Sequence, residues 1–185
     1  MIRLPFWILG ALLLGGIVHL STVLAMPQTA TQDAYSRLER LAPINALVPL
    51  PAPTAQTVIM PFIDPAFAVA VCRYDLSTGT LKLVAPVSQA YTSVTFYTRN
   101  SVAYYAINDR AAGRRSIELD LMTPEQHTQM PEEEGVTAAD RLIIESPTTT
   151  GLIVLRALAP TPGLMPMARG TLAAASCRIE SLPPQ

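Results

Sequence analysis

The chain has 185 residues, half of them apolar and only 15% charged, with a formal net charge of −1. That balance excludes nucleic-acid binding as a function class, because no basic excess exists to neutralise a phosphate backbone. The length fits one apolar N-terminal run and one ordinary soluble domain.

The run covers residues 4–25, uncharged after a single Arg3. As a helix rising ~1.5 Å per residue it reaches roughly 33 Å, enough for a hydrocarbon core of about 30 Å. The same residues also read as a secretory signal, with Arg3 as the charged start, residues 6–18 as the apolar stretch and Val23, Leu24 and Ala25 as small-residue cleavage context. Both readings carry the remainder across the membrane. An uncleaved signal anchor is the one adopted here, since the run exceeds the usual ~7–15 apolar residues of a cleaved signal. His19 lies near its outer end and reads as a residue that snorkels to the interface. The expected organisation is an anchor at 1–25, a proline-rich stalk at 26–57 and a single β-rich domain at 58–185, oriented N-in and C-out with the domain outside the cytoplasm.

Within the stalk, Asp33 can cap a short helix that puts Tyr35, Leu38 and Leu41 on one face, and Pro43 ends it. Pro49, Pro51 and Pro53 then impose an extended path, a semi-rigid spacer or an arm laid over the domain. Asp64-Pro65 has the form of an N-cap followed by proline at the first helical position, which predicts a helix over 66–72. After the Ser77-Thr78-Gly79 turn the periodicity becomes two. Residues 92–98 (TSVTFYT) and 102–107 (VAYYAI) flank Arg99-Asn100-Ser101 as a hairpin, and Ile117, Leu119 and Leu121 alternate with Glu118 and Asp120 as a half-exposed strand. Thr123-Pro124 starts another short helix, followed by the acidic run Glu132 to Glu134, read as a solvated face. The apolar runs 142–144 and 152–155, separated by a turn-rich 147–151 loop, predict strands from the middle of a covered sheet. Residues 163–178 are expected to form a closing helix carrying Cys177. The fold class is α+β or mainly β: an antiparallel sheet or sandwich with short helices, preceded by one transmembrane helix.

Cys72 and Cys177 are the only cysteines and lie 105 positions apart in a part of the chain assigned to an oxidising compartment. A disulfide is the expectation, worth about 2–4 kcal/mol; two buried free thiols are the alternative. Two thiols and His127 are too few for a structural zinc site, and no cofactor motif is read.

The phrases AYTSVTFYTRNSVAYYAINDR, IELDLMTPEQ and VTAADRLIIESPTTTGLIVLRAL resemble the small, membrane-anchored branch of the domain-of-unknown-function 1254 (DUF1254) family, over roughly residues 33–177. The resemblance implies a bacterial protein with one N-terminal hydrophobic segment, often found beside a companion of the related DUF1214 family. In longer relatives the two domains are fused, so a DUF1214-like companion is the implied partner of this shorter chain. The family brings no settled activity and no catalytic residues.

His127 is the sole histidine outside the apolar run, so every Ser-His-Asp or Cys-His scheme must pass through it, and no Gly-x-Ser-x-Gly elbow occurs. Asn108, Asp109, Arg110, Arg114 and Arg115 form the densest polar cluster: a carboxylate or anion site, or a turn with local pairing. Asp109, Asp120, Glu118 and Glu145 are candidates for an acid/base pair only if they meet in space. Tyr97, Tyr104 and Tyr105 with Phe96 read as cross-strand core aromatics or as a ligand platform. The leading expectation is a membrane-tethered binding module acting with a companion; an envelope hydrolase and a small-ligand carrier, with a tyrosine-lined pocket between sheet and helices, are the rivals.

Overall fold

The computed structural model describes residues 3–29, 33–54, 59–60, 63–112, 115–129 and 142–180. The chain divides into two units, Met1–Asp33 and Ala34–Gln185. In the first, α1 (Arg3–Thr29) is apolar all round, and Arg3–Met26 is long and apolar enough to cross a membrane, a property that signal sequences share.

The second unit is a β-sandwich. Its five-stranded sheet has the order β1 (Leu47–Pro49), β2 (Phe67–Asp75), β8 (Thr150–Leu158), β4 (Thr92–Thr98) and β5 (Ala103–Asn108), with every neighbouring pair antiparallel. The four-stranded sheet runs β7 (Leu142–Glu145), β6 (Ser116–Met122), β3 (Thr80–Pro86) and β9 (Ser176–Glu180), with one parallel pair, β6 and β7. Strict alternation builds the core between them. Ala68, Ala70, Cys72 and Tyr74 of β2 face Leu81, Leu83 and Ala85 of β3 and Ile117, Leu119 and Leu121 of β6 in one buried cluster. Helix α5 (Met165–Ala173) adds Ala168 and Leu172 to that cluster and packs on β2 and β8. Cys72 and Cys177 are joined with Cα atoms 6.5 Å apart, so the disulfide links one sheet to the other through the core.

The expected fold class holds, as do the hairpin of β4 and β5 and the alternating strand β6. Helix α4 (Pro124–Thr128) starts at a full capping box, in which Thr123 accepts from Gln126 N–H and the Gln126 side chain accepts from Thr123 N–H.

Other expectations are corrected. Residues 66–72 are not helical: Asp64 does accept from Ala66 N–H (2.9 Å), but that turn delivers the chain into β2, whose alternating valines find partners on both sides. The closing helix stops at Ala173, because the SCRIE segment that follows pairs with β3 as β9. Strand β7 is an edge strand of the four-stranded sheet, not a central one, and the loop to β8 passes from one sheet to the other instead of closing a hairpin. Ser146 N–H donates to Met122 O and Leu76 N–H to Thr149 O along that crossing. The run Glu132 to Glu134 and the tail beyond residue 180 lie outside the described residues.

Much of the expected stalk is part of the fold. Helix α2 (Ala34–Leu38), Ala42 and Leu50 bury apolar side chains against Val71, Leu152 and Val154, on the face of the five-stranded sheet that points away from the core. The reason is in β2 and β8 themselves. Both are apolar on both faces, so the outer face needs a cover. Asn45, in a left-handed conformation (φ 57°), fixes the cover by exchanging two bonds with Asp75, accepting from its N–H (2.8 Å) and donating to its carbonyl (3.1 Å). The Tyr35 ring is held between two guanidinium groups, Arg73 at 4.3 Å and Arg99 at 4.2 Å from its centroid. Buried Arg73 also donates to Ala42 O (3.2 Å), and Arg99 donates to Ser36 Oγ (3.2 Å).

Candidate functional site

Helix α3 (Asp109–Ala112) explains most of the polar cluster at the end of β5. Asn108 Oδ1 accepts from Ala111 N–H (3.0 Å), an N-cap bond. Asp109 is half-buried with Oδ1 out of water and unbonded, Arg110 is exposed, and Arg114 lies outside the described residues. The arrangement is a capped turn.

The aromatic residues divide between two places. A β-bulge opposite Phe96 lets both Tyr104 and Tyr105 pack on its ring, with centroids 6.2 and 6.0 Å away. Tyr104 turns inward to a buried hydroxyl network. There the Tyr74 hydroxyl meets the Tyr104 hydroxyl (3.1 Å), Ser146 Oγ (3.0 Å) and the Tyr97 carbonyl (3.3 Å), while Ser146 donates to Thr148 O (2.6 Å). Burial, reinforced by Tyr74, pushes the Tyr104 phenol far above its ordinary pKa. These hydroxyls are bonded to one another, with Tyr74 and Ser146 buried and Tyr104 half-buried. Gly151 is required beside them, since a Cβ there would collide with the Tyr74 hydroxyl and the Tyr97 carbonyl.

His127 sits exposed on α4, its Nδ1 2.6 Å from Glu145 Oε1 on β7. The pair has the form of a base and its orienting carboxylate, but among the described residues no serine, threonine or cysteine is bonded to the imidazole. Ser146, next in sequence to Glu145, directs its hydroxyl into the Tyr74 network. Both cysteines are in the disulfide. Among the described residues, no three His, Cys, Asp or Glu side chains come together as a metal-binding group.

A cavity of about 390 Å³ lies on the outer face of the five-stranded sheet, beneath the cover formed by α2 and the chain that follows. Its floor is Phe67, Val69 and Val71 of β2 with Leu152 and Val154 of β8; its walls are Leu50, Met60, Ile63 and Tyr97. Among the described residues, its polar side chains are Asp64, Ser101, Arg156 and the hydroxyl-bearing Tyr97. Of the sequence-derived candidates Tyr97 alone belongs to it, while Tyr105 and the Asn108 to Arg110 turn lie elsewhere. The signal for the rest was present: Phe67, Val69 and Val71, like Leu152, Val154 and Arg156, are spaced by two on strands whose intervening residues fill the core.

A sandwich with a covered outer face, one inter-sheet disulfide and an apolar cavity under the cover is the class of domain these residues define. The model of the family described as "Protein of unknown function (DUF1254)" matches residues 44–178, and the chain belongs to that family. Its fold is similar to that of the VPA0106 protein from Vibrio parahaemolyticus, with a TM-score of 0.58 at 11% identity over 82% of this chain and 37% of that one. An uncharacterised protein from Burkholderia cenocepacia gives a TM-score of 0.48 at 12% identity, over 80% of this chain and 37% of that one. The chain thus spans little more than a third of the length of these solved neighbours. No curated protein matches it.

Proposed function

We propose that this chain is a membrane-tethered binding module of the bacterial envelope, held by α1 with its sandwich in the periplasm, that retains a small apolar molecule and does not transform it. The observation that carries this reading is the cavity of about 390 Å³, whose described lining is mostly apolar. That volume falls in the range of about 300–1,000 Å³ typical of small-molecule sites. A base without a bonded nucleophile at His127 and a capped turn at Asp109 argue against the hydrolase alternative.

A second element of the reading is a companion domain, of the DUF1214 type that the sequence resemblance implies. Its support is the length of the VPA0106 protein, similar in fold, of which this chain covers 37%. Native mass spectrometry on protein extracted from its own membrane tests both elements. A small molecule retained in stoichiometric amount supports the cavity reading, and a retained second chain identifies the companion. A bare chain, with no companion crosslinked in cells, would sink the proposal.

A further inference from the structure

We infer that the cavity takes a single-chain amphiphile with an anionic head, the apolar chain lying on the floor of β2 and β8 and the head meeting Arg156. This rests on the small-molecule reading above and adds the ligand's chemistry to it. Arg156 is exposed near the end of β8 and belongs to the cavity lining. Its in-register neighbours are Val69 on β2 and Ser93 on β4, neither of them charged. It makes no hydrogen bond or ion pair among the described residues, unlike Arg73 and Arg99, which hold the cover in place. A guanidinium presents a planar fork of donors that matches a carboxylate or phosphate with two bonds.

The other charged lining residue, Asp64, already accepts from Ala66 N–H through Oδ1. One carboxylate oxygen is thereby held in the turn into β2 while the negative charge remains, so Asp64 is the group that would favour a cationic head and Arg156 the one that favours an anionic head. The volume stands at the lower end of the small-molecule range, suited to one chain and not to a two-chain lipid.

The test is isothermal titration calorimetry on the full chain in amphipol with three probes of equal chain length: octanoate, 1-octanol and octylammonium. Octanoate is expected to bind at least about tenfold more tightly than either of the others, a difference of about 1.4 kcal/mol. Arg156→Gln is expected to erase that preference, bringing octanoate affinity down at least about tenfold to the level of octanol on the same variant, with thermal stability unchanged, as befits an exposed side chain that makes no bond among the described residues. Equal affinities for octanoate and octanol overturn the anionic head and leave the cavity reading standing. Tighter octylammonium binding overturns it in favour of Asp64. Failure of all three probes to bind removes the cavity reading itself. A parallel arm with octyl phosphate separates a carboxylate preference from a general anion preference, and a loss of both in Arg156→Gln supports the assignment.

Discussion

Removing the disulfide is the perturbation whose size follows most directly from this fold. Cys72 is in the five-stranded sheet and Cys177 in the four-stranded one, 105 residues apart in sequence, so the bond closes most of the domain into one loop. Loop-closure entropy for ~100 residues gives a ceiling of about 4.7 kcal/mol, and measured values usually fall near 2–4. For a domain of about 150 residues each kcal/mol moves Tm by roughly 2–4 °C, so the Cys72→Ala, Cys177→Ala double variant should melt ~4–16 °C below the oxidised protein. The assay is thermal unfolding followed by circular dichroism, run on oxidised wild type, reduced wild type and the double variant. Reduced wild type and the variant should fall close together, because both lose the same cross-link and alanine removes only small buried sulfurs. If the oxidised and reduced proteins melted within ~1 °C of each other, the bond would not be constraining the unfolded chain as argued.

Three further outcomes are expected. Leu38→Ala should cost about 2–5 kcal/mol in urea unfolding, since Leu38 is fully buried under the cover; a change below ~0.5 kcal/mol would restore the stalk reading. Gly151→Ala should destabilise by at least ~1–3 kcal/mol, because the added methyl meets the Tyr74 hydroxyl and the Tyr97 carbonyl; wild-type stability would refute the close approach. Alkaline pH should destabilise the fold through Tyr104: its raised folded pKa means that stability is intact below the unfolded value of ~10 and declines above it, by at most ~1.4 kcal/mol per pH unit. Tyr104→Phe should flatten that decline, and urea midpoints at pH 9 and 11 that shift in parallel for variant and wild type would disprove it.

Period-two alternation made the hairpin and β6 legible, and the Thr123 capping box fixed α4 from four residues. The errors have a common physical origin. At Asp64-Pro65 and in residues 163–178 the local signals favour helix, and each is a real turn or helix start: Asp64 caps one turn, and α5 does form. What ends them is long-range pairing, β2 with β8 and β9 with β3, which no local pattern encodes. The site was obscured for a related reason. Arg156, Leu152 and Val154 become neighbours of Phe67 and Val69 only through the register of β2 and β8, whereas the conspicuous Asn108 to Arg110 cluster is a turn capped by Asn108.

The cover follows α1 in sequence after only a few residues, and it also roofs the cavity; ligand binding and the seating of the cover must therefore be linked. Opening that lifts α2 and Leu50 from the sheet destroys the cavity, so it must be preceded by ligand release. At a free ligand concentration of ~100 times Kd the opening becomes harder by about 2.7 kcal/mol. The amides to watch are those of Ala42 and Leu50, which donate to Leu38 O and Val69 O and report on the cover alone. Their hydrogen exchange should slow about 100-fold in saturating octanoate, while β3 amides that exchange only by global unfolding slow by the same free energy and keep their place as the most protected. If the Leu50 amide exchanged at the same rate with and without ligand, the molecule would be binding elsewhere, and the cover would have no part in holding it.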